Sequence, residues 1–292
     1  MKITNFNKGI LSSSLGSFWW GFIGTYYFQY ITFIGTIEVV VHRCIWTTLI
    51  LLITTTFFNK WHLLKKIIFD KKKLLILLIT SILIFGNWSI WIYAVATNRI
   101  IDASFGYFIF PIISVFFGFL FFNEKLNKKR IISISLVIIS TIYLFFNLNS
   151  FPWIGFSVAF LWSIYNLLRK KINVDTDVGL FVESLIILPL ALIIFYFIFQ
   201  NNLSDFTFSN PTLMILLLLA GPMTVIPLFL YIKGVQLSGL GPSGMIFFIT
   251  PTGQFLLGFF YYNEPFSMQK FISFILIWIA VFIYLRDLYE NN

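Results

Sequence analysis

Two stretches of this chain repeat each other: FIFPIISVFFGFLFFNEKL, residues 108–126, and FFITPTGQFLLGFFYYNEPF, residues 247–266. Set 140 residues apart they superpose without a gap. Phe108 falls on Phe248, Ile109 on Ile249, Pro111 on Pro251, Gly118 on Gly258, Phe119 on Phe259, Asn123 on Asn263 and Glu124 on Glu264. The match fades beyond this, though Ile132, Ser133 and Leu136 still meet Ile272, Ser273 and Leu276. A repeat of this length in a chain of 292 residues divides it into two halves of one architecture.

What surrounds the repeat decides which architecture. The chain is 59% hydrophobic and only 11% charged, with a mean hydropathy of +0.91; soluble domains carry roughly 25% charged residues. No water-soluble fold has interior enough for this much Phe, Ile and Leu, so most of the apolar surface must meet lipid. Apolar segments fall at 9–29, 36–57, 74–96, 101–122, 131–147, 152–169, 178–199, 212–233, 240–262 and 269–286. Each is close to the roughly 20 residues that a bilayer-spanning helix requires. The first runs into the bulky aromatics TYYFQY rather than a small-residue cleavage site, so it reads as a retained helix and not a signal peptide.

The basic residues fix the orientation. With the N-terminus inside, ten spans put seventeen of the 20 Lys and Arg in inside segments, among them the runs at 65–66, 71–73, 128–130 and 169–171. Arg99 and Lys270 lie outside, and Arg43 lies within a span. That asymmetry is the positive-inside pattern, and it accounts for the net charge of +9 without nucleic acid. Cys44 is the sole cysteine, so neither an intrachain disulfide nor a cysteine metal cluster can be built.

The expected fold is therefore all-α: a polytopic membrane protein of ten transmembrane helices in two five-helix repeats, residues 1–148 and 149–292, forming one structural domain. Five spans per half is an odd number, so the second half must be inverted relative to the first. Inverted repeats are a recurrent plan of secondary transporters, with the site between the halves near mid-membrane. Pro111 and Pro251, several residues into the fourth and ninth spans, are candidate helix kinks at that site, since proline frees the carbonyl four residues back. The Asn-Glu pairs, Asn123-Glu124 and Asn263-Glu264, read as helix C-caps with glutamates that anchor a following helix.

These features resemble the EamA family of the drug/metabolite transporter superfamily, and in particular its RarD-like branch. The resemblance is carried by HRCIW (42–46), GNWSIWIYAV (86–95), ASFGYFIFP (103–111), FFNEKL (121–126), LLRKKINVD (167–175), ESLIILPLAL (183–192), LLAGPMTVIPL (218–228) and YYNEPFSMQKFISFILIW (261–278), in order along most of the chain. It implies a permease of the bacterial inner membrane, multi-pass with both termini cytoplasmic. Its partners would be a small-molecule substrate and the lipid bilayer, with protons as a candidate coupling ion. The branch is often labelled by chloramphenicol sensitivity, a label that names no physiological cargo. It implies no cofactor, and either a monomer or a homodimer is compatible with it.

Several residues stand out as candidates to touch a cargo. Arg43 lies inside a span, where an arginine costs about 2.5–3.5 kcal/mol, so it should face protein or water. It offers bidentate recognition of a carboxylate; the bland alternative is an ion pair with Glu183 or Glu38. His42 can titrate near neutral pH but is more often a packing residue. Glu183 aligns with His42 at a spacing of 141 and is the second candidate for coupling or ion pairing. Asn87, Trp88, Trp91 and Tyr93 offer an aromatic wall with one amide, joined by Tyr107 and, as weaker candidates, Tyr165, Asn166 and Gln254. Glu38 reads as interfacial and Lys233 as a topology charge.

Other readings fare worse. GPSG, residues 241–244, matches the Gly-x-Ser-Gly of rhomboid-like intramembrane serine proteases, but Ser243 and His42 belong to opposite ends of their spans. No HExxH pair, no paired intramembrane aspartates and no GxxxxGK[ST] loop occur, which argues against metalloprotease chemistry and internal ATP drive. A passive channel would need a filter or charged ring, and none is evident.

Overall fold

A computed structural model describes residues 4–97, 99–148, 150–263 and 267–291. Among these the chain is helical, with no strand. The elements are α1 (Asn5–Phe18), a π-helical turn (Trp19–Gly24), α2 (Thr25–Tyr30), α3 (Thr36–Phe57), α4 (Trp61–Phe69), α5 (Lys71–Ala96) and α6 (Ile100–Phe122). They continue with α7 (Lys128–Phe146), α8 (Trp153–Ile172), α9 (Thr176–Gln200), α10 (Pro211–Ser238), α11 (Leu240–Ile246), α12 (Ile249–Phe260) and α13 (Met268–Asn291).

Eight of these units are long and apolar enough to cross a membrane: α3, α5, α6, α7, α9, α10, the α11–α12 pair and α13. The first expected segment is interrupted by the π turn, which leaves α1 at 14 residues. The sixth, α8, carries Arg169, Lys170 and Lys171 in its last turn. The chain is a multi-pass membrane protein, and its exposed belt of Phe, Ile and Leu is the surface that lipid wets.

Local chemistry explains where helices stop. Asn59, Asn123, Asn173, Asn202 and Asn263 take positive φ at turns, the left-handed conformation that asparagine tolerates best after glycine. Asn123 is the C-cap of α6, with φ 53°. Glu124 then reaches across the chain. Its Oε2 accepts from Gly241 N at 2.8 Å and its Oε1 from Leu240 N at 2.8 Å, so the carboxylate caps α11 and anchors a later helix rather than the next one. Glu264 lies outside the described residues.

The two prolines behave differently. Pro111 sits inside an unbroken α6. Pro251 follows a break at Phe247–Phe248, between α11 and α12, where the Phe247 carbonyl turns to the nearer Thr250 N at 2.8 Å. Close helix contacts rest on small residues. A Cβ on Gly106 of α6 would come within 2.4 Å of the Gly155 carbonyl of α8, an approach that glycine alone permits. Helices α7 and α13 are joined by Ser133 Oγ donating to the Ala280 carbonyl at 2.6 Å and by Ser140 Oγ donating to the Ser273 carbonyl at 3.0 Å.

At the end of the bundle where α1 begins and α13 ends, the α3–α4 turn is tied to the α8–α9 turn by Lys60. Its Nζ donates to Asp175 at 3.0 Å and to Asp177 at 2.8 Å. Burial works against the Lys60 ammonium, but the two carboxylates outweigh it and raise its pKa. Burial likewise pushes the Asp175 carboxyl up, and hydrogen bonds from Asp177 and Lys60 overcome this to hold it below its ordinary value.

Candidate functional site

A cleft enclosing about 640 Å³ of non-atom space, counted to its open mouth, enters the half of the bundle that holds the α2–α3 and α5–α6 turns. The helices contribute by position. Trp20 and Gly24 come from the π turn, Thr25 and Phe28 from α2, and Arg43 from α3. Asn87, Trp88 and Trp91 come from α5, Tyr107 from α6, Trp162 from α8, and Thr250 and Gln254 from α12. Phe247, at the α11–α12 break, completes the lining.

Arg43 is 5% exposed and stands in the cleft wall. Its Nε donates to Thr224 Oγ1 at 3.0 Å; the Thr224 hydroxyl donates onward to the Ala220 carbonyl, which leaves a lone pair for the guanidinium. The cation lies 4.7 Å from the Phe28 ring centroid and 4.6 Å from that of Trp88. Such contacts are worth up to about 2 kcal/mol when desolvated. No carboxylate among the described residues lies within ion-pairing distance of it. The expected alternative partners are engaged elsewhere. Glu183 faces Arg169 at 3.6 Å, and Glu38 accepts from Ser204 Oγ at 2.6 Å and from Asp205 N.

Asn87 donates through Nδ2 to the Val158 carbonyl at 2.9 Å, which leaves its own oxygen for the cleft. Below it the floor is aromatic. Trp162 meets Trp20 edge-on at 5.5 Å, Phe247 meets Phe110 at 4.9 Å, and Tyr231 meets Phe247 at 5.3 Å. The site is thus a cationic group set in apolar, π-rich walls with two amides, Asn87 and Gln254.

Arg43, Asn87, Trp88, Trp91 and Tyr107 are brought together with Gln254, while Tyr93 is not. Tyr93 is 47% exposed and packs against Trp153 at 6.1 Å, because it follows Trp91 by two residues and so falls on the opposite helix face. His42 also departs from Arg43. About 100° away on α3, it accepts from Trp46 Nε1 at 2.9 Å, stands 3.7 Å from Glu38, and packs against Phe206 of the α9–α10 connection. The pair HR therefore splits between two environments.

Glu183 borders a second, smaller cavity with Cys44, Thr47 and Ser184; Trp88 lines both spaces. Its Oε1 accepts from Thr80 Oγ1 at 2.6 Å and its Oε2 from the Tyr165 hydroxyl at 3.1 Å. Arg169 was expected on the inside surface with its basic neighbours, but it is fully buried. Helix α8 runs on to Ile172, and Gly179 of α9 gives the guanidinium room. Asn166 is buried beside this network, donating to the Trp162 carbonyl. Ser243 bonds the hydroxyls of Ser13 and Ser238 at 2.8 and 3.1 Å, a packing role in place of a nucleophile's. Trp20, Phe28, Trp162, Thr224 and Phe247 escaped notice in the sequence, where an aromatic or a threonine in an apolar run reads alike whether it faces lipid or cleft.

The EamA-like transporter family matches the chain twice, over residues 7–146 and 152–286. An uncharacterized transporter of Vibrio cholerae is 32% identical over 280 residues, covering 96% of this chain and 92% of that protein. The transporter YojE of Bacillus subtilis is 31% identical, covering 97% and 95%. Protein RarD of Escherichia coli is 30% identical, covering 96% and 94%. A crystal structure shares the fold with a TM-score of 0.72 at 12% identity, over 94% of this chain and 95% of that one. With the family matched over nearly its whole length and full-length relatives named RarD, this chain belongs to the EamA-like transporter family, in the RarD-like branch of the drug/metabolite transporter superfamily, and is a membrane transporter of that type.

Proposed function

We propose that the protein is a secondary transporter that moves a small organic anion with an apolar, planar body across the bacterial inner membrane by alternating access. The observation that carries this reading is Arg43: a buried guanidinium on the cleft wall, held by Thr224 and two aromatic faces, with no carboxylate at ion-pairing distance among the described residues. An arginine left unpaired in such a place calls for an anion from outside.

Ten spans arranged as two inverted halves, 1–148 and 149–292, complete the reading, with residues 5–30 and α8 as the two spans beyond the eight continuous apolar ones. Contacts between equivalent residues support the inversion. Tyr107 meets Phe247 at 5.6 Å and Phe108 meets Phe248 at 6.2 Å, each ring touching its own counterpart, as residues on a two-fold axis must. The residue pairs Ser133–Ala280 and Ser140–Ser273 are also exchanged by a shift of 140, though the donor roles within them are not. Both termini are proposed to be cytoplasmic, so the cleft opens outward above its aromatic floor. Protons are the proposed coupling ion.

The test is a thermal-shift measurement on the purified protein with indole-3-acetate, its neutral amide and tryptamine. Only the carboxylate should raise the melting temperature of the wild type, since a ligand that binds the folded state stabilises it. Arg43→Ala should weaken that binding about 10- to 100-fold, the loss expected for a charged hydrogen bond. Equal stabilisation by the amide, unchanged in Arg43→Ala, would refute the anion reading.

A further inference from the structure

The cleft does not account for Glu183, a carboxylate that is 3% exposed, two turns into α9, and on the wall of the second cavity. Two other helices converge on it: α5 brings Thr80 and α8 brings Tyr165 and Arg169. The charged or titratable groups that face it are therefore Arg169 and Tyr165, with Cys44 of α3 across the cavity. From α10 come only the apolar Val225 and Leu228.

Arg169 is the unusual partner. Its Nη2 donates to the Thr176 carbonyl at 3.0 Å, but its Nε and Nη1 are buried without a hydrogen bond. Glu183, 3.6 Å away, holds it by charge and not by a hydrogen bond. A guanidinium in that state depends on the carboxylate keeping its charge; removing one member of a buried ion pair is strongly destabilising.

We propose that Glu183 is the proton-binding site of the transporter, loaded from the second cavity, and that its protonation releases Arg169 and loosens α8 from α9. The proton adds to a carboxylate oxygen, turning Glu183 from an acceptor of the Thr80 and Tyr165 hydroxyls into a donor. Arg169 then keeps the Thr176 carbonyl as its anchor. The α8–α9 turn and the Trp162 floor belong to the same helix pair, so the event reaches the closed end of the cleft. Trp88, shared by both cavities, separates the cargo's charge on Arg43 from the proton on Glu183.

The coupling role rests on the transport reading above, but the proton site itself is testable without cargo. Full-length protein in lipid nanodiscs is titrated from about pH 9 to about pH 5, the range open to buried carboxyls, and followed by infrared difference spectroscopy. The wild type should gain a protonated-carboxyl C=O band that Glu183→Gln lacks and that Glu183→Asp shifts. The same band, unshifted in Glu183→Asp or retained in Glu183→Gln, overturns the proposal. So does the absence of any such band in the wild type. In weak buffer, indole-3-acetate binding should change the bound protons of the wild type and leave those of Glu183→Gln unchanged. If indole-3-acetate fails to bind the wild type, the cargo reading falls while the infrared result still decides the proton site.

Discussion

His42 and Arg43 show how far one step along a helix carries a side chain. Arg43 reaches the cleft, while His42 turns to Trp46, Glu38 and Phe206. His42→Phe should therefore leave indole-3-acetate affinity within about twofold, and cost about 1 kcal/mol of stability for the lost hydrogen bond; binding and chemical unfolding, measured on the same variant, separate the two. The sequence flagged both residues for the same reason, a polar group in an apolar run, and could not assign their faces. Arg169 was hidden for the opposite reason. In the run Arg169-Lys170-Lys171 it looked like one more surface charge, and only the length of α8 and the small Gly179 opposite it reveal a buried guanidinium.

Helix α11 has seven residues and begins after Gly239, whose φ of 109° a side chain would strain. It has little intrinsic stability, so the Glu124 carboxylate on its first amides matters in proportion. Glu124→Ala should cost about 1–2 kcal/mol, and Glu124→Gln less, since an amide still offers one acceptor; guanidinium or heat unfolding in detergent reads both. The repeated Asn-Glu pair made a capping role legible, because asparagine takes positive φ readily. That the glutamate reaches α11, 116 positions along, was not legible, since no local pattern records a contact of that range. Likewise the paired prolines are equivalent in sequence, but the helix is broken only ahead of Pro251, where Thr250 N takes up the Phe247 carbonyl in a tighter turn.

Across the molecule, the Lys60 bridge joins the α3–α4 turn to the α8–α9 turn, more than a hundred residues along the chain. Its pH dependence follows from two opposite shifts. Lys60 has a raised pKa, so its contribution is complete below the ordinary lysine value and is lost as pH climbs through the raised one. Asp175 has a lowered pKa, so its contribution is complete above the ordinary carboxylate value and is lost as pH falls through the lowered one. The stability difference between wild type and Lys60→Ala should be about 1 kcal/mol near neutral pH, and smaller once pH climbs through the raised Lys60 value or falls through the lowered Asp175 one. Unfolding curves at several pH values check it. The helical, multi-pass plan was legible because lipid leaves few options: apolar runs of membrane length can satisfy their backbone only as helices. The cleft residues were legible only where a charge, an amide or a pair of indoles one turn apart stood out, which is why Arg43, Asn87, Trp88 and Trp91 were visible and the single Trp162 was not.

The π-helical turn at Trp19–Gly24 carries one residue more per turn than the α-helix on either side of it. Rewinding that turn as α-helix would rotate Thr25–Tyr30 by about 100° about its own axis. Thr25 and Phe28 would then leave the cleft together and Phe28 would leave the guanidinium of Arg43, with no hydrogen-bonded turn lost. The first helix thus contains a crank: an exchange of winding, at the cost of a register slip and of the Tyr27 hydrogen bond to the Leu216 carbonyl, would remove one wall of the cleft.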